Sequence, residues 1–181
     1  MIRLFIALPI PQTIRPYLHR IGGSLPYSRP VPVDQIHLTL RFLGDLEGSR
    51  FLDIKEELST VAAAPFFMSI QGVGHFPPRG KARVVWAGVR PVEPVQHLKR
   101  KIDSCLRSCG ISADPRKFSP HITLARLKDT PAQRVAEFLA GNSFLCFDEF
   151  KVDCFHLYSS KLTQKGAIHR CEATYQLPDR G

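Results

Sequence analysis

The chain has 181 residues, 44% of them hydrophobic, and a formal net charge of +9 at neutral pH. That length suits one domain, or two small lobes sharing a core, and the composition excludes a disordered or fibrous chain. The basic balance points to an anionic partner, and five cysteines without framework spacing argue against a disulfide scaffold.

The opening MIRLFIALPIP is apolar but short, and it ends in prolines. It lacks the length of a membrane span and the small-residue cleavage site of a signal peptide. A buried first strand, Arg3 to Leu8, is therefore expected, in a protein that stays in the cytoplasm and off the membrane. Gln12 to Ile21 suits a short helix with Pro16 near its first turn. Residues 22 to 33 hold Gly22, Gly23, Pro26, Pro30 and Pro32, a loop by composition. Ile36 to Leu43 is a strand closed by Gly44-Asp45. Residues 49 to 63 carry Phe51, Ile54, Leu58 and Val61 at helical spacing.

Strands are expected at Phe66 to Val73 and Arg83 to Val89, with a basic loop, His75 to Lys81, between them. Val92 to Cys109 places Val95, Leu98, Ile102, Cys105, Leu106 and Cys109 on one face, an amphipathic helix ending at Gly110. Residues 112 to 120 form a basic approach to a strand over 120 to 127, and Pro131 to Leu139 is a helix with proline at its start. Phe144 to Ser159 reads as one long or bent strand. Lys161 to Gly166 turns, and Ala167 to Leu177 returns as the last strand. Strands neither alternate strictly with helices nor separate from them, so an α+β fold with antiparallel pairing is expected.

Two segments stand out within this order. His37-Leu38-Thr39-Leu40 and His121-Ile122-Thr123-Leu124 repeat His-x-Thr-Leu once in each half of the chain. Seven His and seven Thr in 181 residues would give roughly 0.3 His-x-Thr pairs by chance, before Leu is required. One copy would suit a strand with a polar outer face; two copies favour function. Alternation along a strand puts His and Thr on one side and Leu38, Leu40, Ile122 and Leu124 on the other. Both halves also follow the order motif strand, helix, strand, strand. An internal duplication is expected, giving two similar lobes around a cleft within a single domain over residues 1–181.

Histidine titrates near neutrality, so one ring can be neutral while its neighbour is protonated. Such a pair can deprotonate a nucleophile and protonate a leaving alkoxide in one displacement at phosphorus. The threonine hydroxyls can bind the non-bridging oxygens. The scheme needs no metal and no cofactor. Other chemistries lack their signatures: there is no His-Glu-x-x-His, no Cys-x-x-Cys pair, no Gly-x-Ser-x-Gly elbow, no Walker loop and no Gly-x-Gly-x-x-Gly. Most of the cysteines are expected to fill the core as reduced thiols.

RLFIALPIP, the pair HLTLRFLGD and PHITLARL, RVVWAGV and the late LYSSKL together resemble the 2H phosphoesterase superfamily. Within it they are most similar to the RNA 2′,3′-cyclic phosphodiesterases, historically called 2′-5′ RNA ligases. The resemblance spans nearly the whole chain. It implies a bilobal fold with the His-x-Thr strands in a central cleft, and metal-independent opening of an RNA 2′,3′-cyclic phosphate to a 2′-phosphomonoester. By motif position His37 would donate the proton to the leaving 3′ oxygen, His121 would activate water, and Thr39 and Thr123 would hold the phosphate. The donor and acceptor labels come from the resemblance alone, because two near-symmetric motifs do not distinguish them.

Phe42 and Arg126 each lie five residues after a motif histidine. Strict alternation puts both on the opposite face, as core and surface residues; the resemblance suggests a base-stacking Phe42 and a phosphate-binding Arg126, which would require a bulge or a strand end. Arg41 shares the His37 face by alternation, although its counterpart is Ala125. Arg79, Lys81 and Arg83 could guide an RNA backbone, with a solvated loop as the default. His19, His75, His97, His156 and His169 lack a threonine two residues on and are taken as structural or surface groups. Trp86 is expected in the core, and Tyr158 and Lys161 receive no role. The expected partner is an RNA or oligoribonucleotide ending in a 2′,3′-cyclic phosphate, met by a monomer. The alternatives are a related phosphodiesterase or ligase of the same superfamily, or an RNA-binding module without catalysis.

Overall fold

The computed structural model describes residues 1–164 and 166–178. Its elements run β1 (Ile2–Pro9), α1 (Arg15–Gly23), β2 (Ser28–Pro30), β3 (His37–Leu46), α2 (Gly48–Glu57), β4 (Phe66–Phe76), β5 (Val84–Arg90), α3 (Glu93–Ser108), β6 (His121–Leu127), α4 (Ala132–Gly141), β7 (Phe150–Val152), β8 (Cys154–Thr163) and β9 (Gly166–Gln176). The fold is α+β, with antiparallel strands in the order β7-β4-β5-β6-β3-β1-β8-β9 and the short β2 beside β6. No described helix is long and apolar enough to cross a membrane.

The two motif strands are neighbours, yet β3 and β6 share one paired position, Leu38 with Ile122. Their backbones diverge on either side of that contact, which divides the structure into two lobes with a cleft between. The first lobe holds β3, β1, β8 and β9; the second holds β6, β5, β4 and β7.

These lobes are not the two halves of the sequence. Each repeat runs strand, helix, motif strand, helix, strand: β1-α1-β3-α2-β4, then β5-α3-β6-α4-β8. The closing strand of each repeat pairs with the opening strand of the other, β4 with β5 and β8 with β1. The two similar lobes expected around a cleft are thus each assembled from strands of both repeats.

The helices cross over as well. α1 packs on β6, where a Cβ added to Gly22 would lie 2.4 Å from the Leu124 carbonyl oxygen. α3 lies against β3 and buries Val95, Leu98, Ile102 and Leu106, one face of the periodicity read above. The motif strands contribute Leu38, Leu40, Ile122 and Leu124 to this interior, none more than 2% exposed.

Local differences from the sequence reading have physical reasons. The segment 144–159 is not one strand: Asp153 divides β7, which edges β4, from β8, which pairs with β1 in the other lobe. The loop 22–33 includes β2, whose Arg29 pairs with Arg126. β4 runs on through His75 and Phe76 as a hairpin with β5, so the basic loop begins later than expected. The expected turn Lys161 to Gly166 includes Lys165, outside the described residues; before it β8 continues to Thr163. No cysteine is fully buried: Cys146 and Cys171 are exposed, and of the three partly buried ones Cys105 and Cys109 pack against the core, all as free thiols.

Candidate active site

On β3 and β6 the alternation holds through the threonine and then breaks. Against β1, Ala7 faces Thr39 and Ile6 faces Arg41, so Leu40 is an inserted residue. Against β5, Trp86 faces Thr123 and Val85 faces Ala125, so Leu124 is inserted in the same way. Each bulge puts two successive residues into the interior, Leu40 with Arg41 and Leu124 with Ala125, and returns the next residue to the cleft face. Phe42 is therefore 55% exposed at the cleft, and Arg126 is exposed beside it. The structure brings together His37, Thr39, Phe42, His121, Thr123 and Arg126 around one cavity of about 330 Å³.

Arg41 goes the other way. Only 6% exposed, it bonds the Ser112 carbonyl and sits 3.9 Å from Asp103 and 3.6 Å from Asp114. It ties β3 to α3 and to the segment after it, so its expected place on the His37 face is corrected. Arg79, Lys81 and Arg83 are exposed away from this cavity, with Lys81 on Asp129 at 2.9 Å.

The antiparallel register around Leu38 and Ile122 sets His37 across from Thr123 and Thr39 across from His121. Both histidines are oriented by the same device. Nδ1 of His37 lies 2.7 Å from the Gln35 carbonyl, and Nδ1 of His121 lies 2.7 Å from the Ser119 carbonyl. A carbonyl oxygen only accepts, so Nδ1 carries the proton and Nε2 is left as the basic atom of each neutral ring. Nε2 of His37 accepts from the Thr39 hydroxyl at 3.0 Å.

Burial pushes His37 down to about 4, partly offset by its bond to the Gln35 carbonyl, and the nearby positive groups His169, Arg15 and His121 push the same way as burial. Burial also lowers His121, against the opposing effect of the Ser119 carbonyl. Both rings are thus neutral in the free protein near pH 7.

Aromatic rings wall each histidine. Phe5 lies 4.9 Å from His37 and stacks on Tyr158 at 5.1 Å. On the other side Phe76 meets His121 edge-on at 4.9 Å, with Trp86 at 6.2 Å. Trp86 is partly buried on the cleft face of β5 rather than in the core. His169, taken from the sequence as a structural or surface group, instead stands edge-on to His37 at 5.8 Å and lines the same cavity with Arg3 and Ser160. The period-two pattern of β9 carried a signal for it, since Ala167 and His169 fall on one face, but nothing local ties that face to His37. His19 is structural as expected, bonding the Val31 carbonyl at 2.8 Å.

A second cavity of about 470 Å³ opens on the far side of Thr39, Phe42, His121, Thr123 and Arg126, bounded by Phe76, Phe118, Lys99, Arg116 and Lys117. Arg116 is turned onto Asp114, and its two side-chain bonds hold that carboxyl down to about 2.

A fold of two antiparallel lobes, with a histidine on each central strand facing the cleft between them, is that of a 2H phosphoesterase. A family model described as the 2′-5′ RNA ligase superfamily matches residues 10–164, and the chain belongs to that family. It is 34% identical over 172 residues to a protein of Archaeoglobus fulgidus named RNA 2′,3′-cyclic phosphodiesterase, covering 93% of this chain and 96% of that one. A protein of the same name from Thermus thermophilus is 33% identical over 178 residues, covering 92% and 86%. Among solved structures, TT0787 of Thermus thermophilus superposes with a TM-score of 0.78 at 27% identity, over 99% of this chain and 100% of the other. E. coli LigT complexed with 3′-AMP shares the fold at a TM-score of 0.80 and 24% identity, covering 98% and 99%.

Proposed function

We propose that the protein is an RNA 2′,3′-cyclic phosphodiesterase that opens the cyclic phosphate to a 2′-phosphomonoester without a metal ion. The observation that carries this reading is the paired geometry: two imidazoles locked through Nδ1, with Nε2 left as the basic atom of each, on adjacent strands that each also present a threonine to the cleft. The names of the similar proteins supply the substrate class.

In this mechanism Nε2 of His121 takes a proton from water as its oxygen forms a bond to phosphorus. The bond from phosphorus to the 3′ oxygen breaks, and His37 delivers the proton from its Nε2 to that oxygen. The product carries a 2′-phosphate and a free 3′ hydroxyl. Thr39, Thr123 and Arg126 bind the non-bridging oxygens, where charge develops, and Phe42 stacks on the terminal base. On phosphate binding Thr39 gives up its bond to His37 for one to an oxygen, which frees that ring to be protonated. The negative phosphate raises the affinity of both rings for a proton, so the donor is charged where it is needed.

The test is an oligoribonucleotide ending in a 2′,3′-cyclic phosphate, incubated in excess EDTA and followed by phosphorus NMR. A 2′-phosphate is expected, with kcat lowered by about 10²–10⁴-fold in His37→Ala and in His121→Ala. Full activity in either variant, or a requirement for divalent metal, overturns the mechanism.

A further inference from the structure

Strand β5 turns Val84, Trp86, Gly88 and Arg90 to one face while Val85, Ala87 and Val89 enter the core. Trp86 rests on the backbone of its partner Gly74, where an added Cβ would fall within 2.2–2.7 Å of three atoms of the indole. Beyond the ring, Gly72 and Gly88 leave the floor bare. A cavity of about 450 Å³ results, closed by the start of α3 and by residues 117–120. This is the size of a small-molecule pocket. Its rim carries Arg90 and Lys117, and no carboxylate lines it. The indole Nε1 is buried and has no hydrogen-bond partner among the described residues.

This cavity is joined to the active site. Lys117, Phe118 and Ser119 line both it and the 470 Å³ cavity that contains Thr39, Phe42, His121 and Thr123. Lys117 is exposed on the ridge between them and, among the described residues, its ammonium has no partner. Its neighbours are engaged: Lys99 is paired with Asp103 and Arg116 with Asp114. A free cation between two aromatic-walled cavities is the arrangement that a single-stranded polyanion with stacking bases would fit.

We infer that this 450 Å³ cavity is a subsite for the penultimate nucleotide of the RNA, its base stacked on Trp86 and the phosphate joining it to the terminal nucleotide held by Lys117. The inference rests on the proposed function for the direction of the chain: the cyclic phosphate at the His-x-Thr strands, the terminal base at Phe42, and the next nucleotide across the ridge. The protein thereby reads an oligonucleotide end rather than a cyclic mononucleotide.

Trp86 is the single tryptophan of the chain, so its emission reports on the subsite directly and without turnover. The protein is titrated with a diadenylate ending in a 2′-phosphate and, separately, with adenosine 2′-phosphate. The diadenylate is expected to quench the emission saturably. The mononucleotide is expected to compete for the active site with a much smaller change in emission, the part that comes from His121 at 6.2 Å from the ring. Lys117→Ala should weaken the diadenylate severalfold and reduce the slope of log affinity against log salt by about 0.7. It should weaken the mononucleotide much less, since Lys117 only borders the active-site cavity, and Lys117→Arg should restore binding.

Equal quenching by both ligands, equal weakening of both in Lys117→Ala, or no saturable quenching by the diadenylate overturns the subsite. Quenching by the diadenylate in a protein that fails to open a cyclic phosphate would instead overturn the proposed function and leave the subsite standing.

Discussion

His37 and His121 occupy equivalent places in the two repeats, but their surroundings differ enough to set the pH dependence of the reaction. His37 is held at about 4 and His121 below the ordinary 6.5, in both cases mainly by burial. The productive state needs one ring protonated and the other neutral, and kcat/KM reports that requirement in the free protein. Between about 4 and the depressed His121 value the productive fraction is flat. Below it the base is lost; above it the acid is lost, with a fall of about tenfold per pH unit. The optimum of kcat/KM is therefore expected below pH 6.5. The upper limb of kcat should lie at higher pH, because bound phosphate favours the charged imidazole. The shape is the same whichever ring donates, since the two apparent values belong to the pair. Steady-state rates from pH 3.5 to 9 test this, and a kcat/KM maximum above pH 7 would contradict it.

At the level of the strands, the His-x-Thr-Leu repeats exposed the alternation and the inward leucines but not the bulges at Leu40 and Leu124. Those bulges decide which later residues face the cleft. In Leu124-Ala125 two successive apolar residues hint at a break in the period; in Leu40-Arg41 the buried residue is a charge, and its partners Asp103 and Asp114 lie far along the chain. Nothing local could reveal that arginine's direction. The split of residues 144–159 was hidden for a related reason: both pieces have strand composition, and their assignment to different lobes depends on β4 and β1. The bulge on β6 lies directly under α1. Gly22 approaches Leu124 so closely that a Cβ would meet its carbonyl oxygen at 2.4 Å, and a backbone atom has little freedom to withdraw. Gly22→Ala is expected to destabilise the protein by about 1–3 kcal/mol, despite the better helix propensity of alanine. It should also reduce kcat/KM, because Thr123 and Arg126 flank the Leu124-Ala125 bulge. Denaturant titration with parallel kinetics measures both; unchanged stability would mean that α1 does not seat on the bulge.

Strand exchange has a consequence for the molecule as a whole. The first lobe takes β1 and β3 from the start of the chain and β8 and β9 from its end, while the second is built from the middle. A fragment of residues 1–79 would hold β1 without β8 and β4 without β5, leaving two hydrophobic edges unpaired. The complementary fragment would lack the partners of β8 and of β5 in the same way. Each histidine reaches the cleft only when strands from both repeats are in place, so the site and the core form together. We therefore propose that residues 1–181 unfold as a single domain. One thermal transition is expected, with calorimetric and van't Hoff enthalpies in a ratio near one. Each fragment should be unfolded alone, and mixing the two should recover secondary structure and turnover together. Two separate transitions, or a fragment with native-like amide dispersion by NMR, would mean that the lobes are independent and that the cleft joins two domains rather than dividing one.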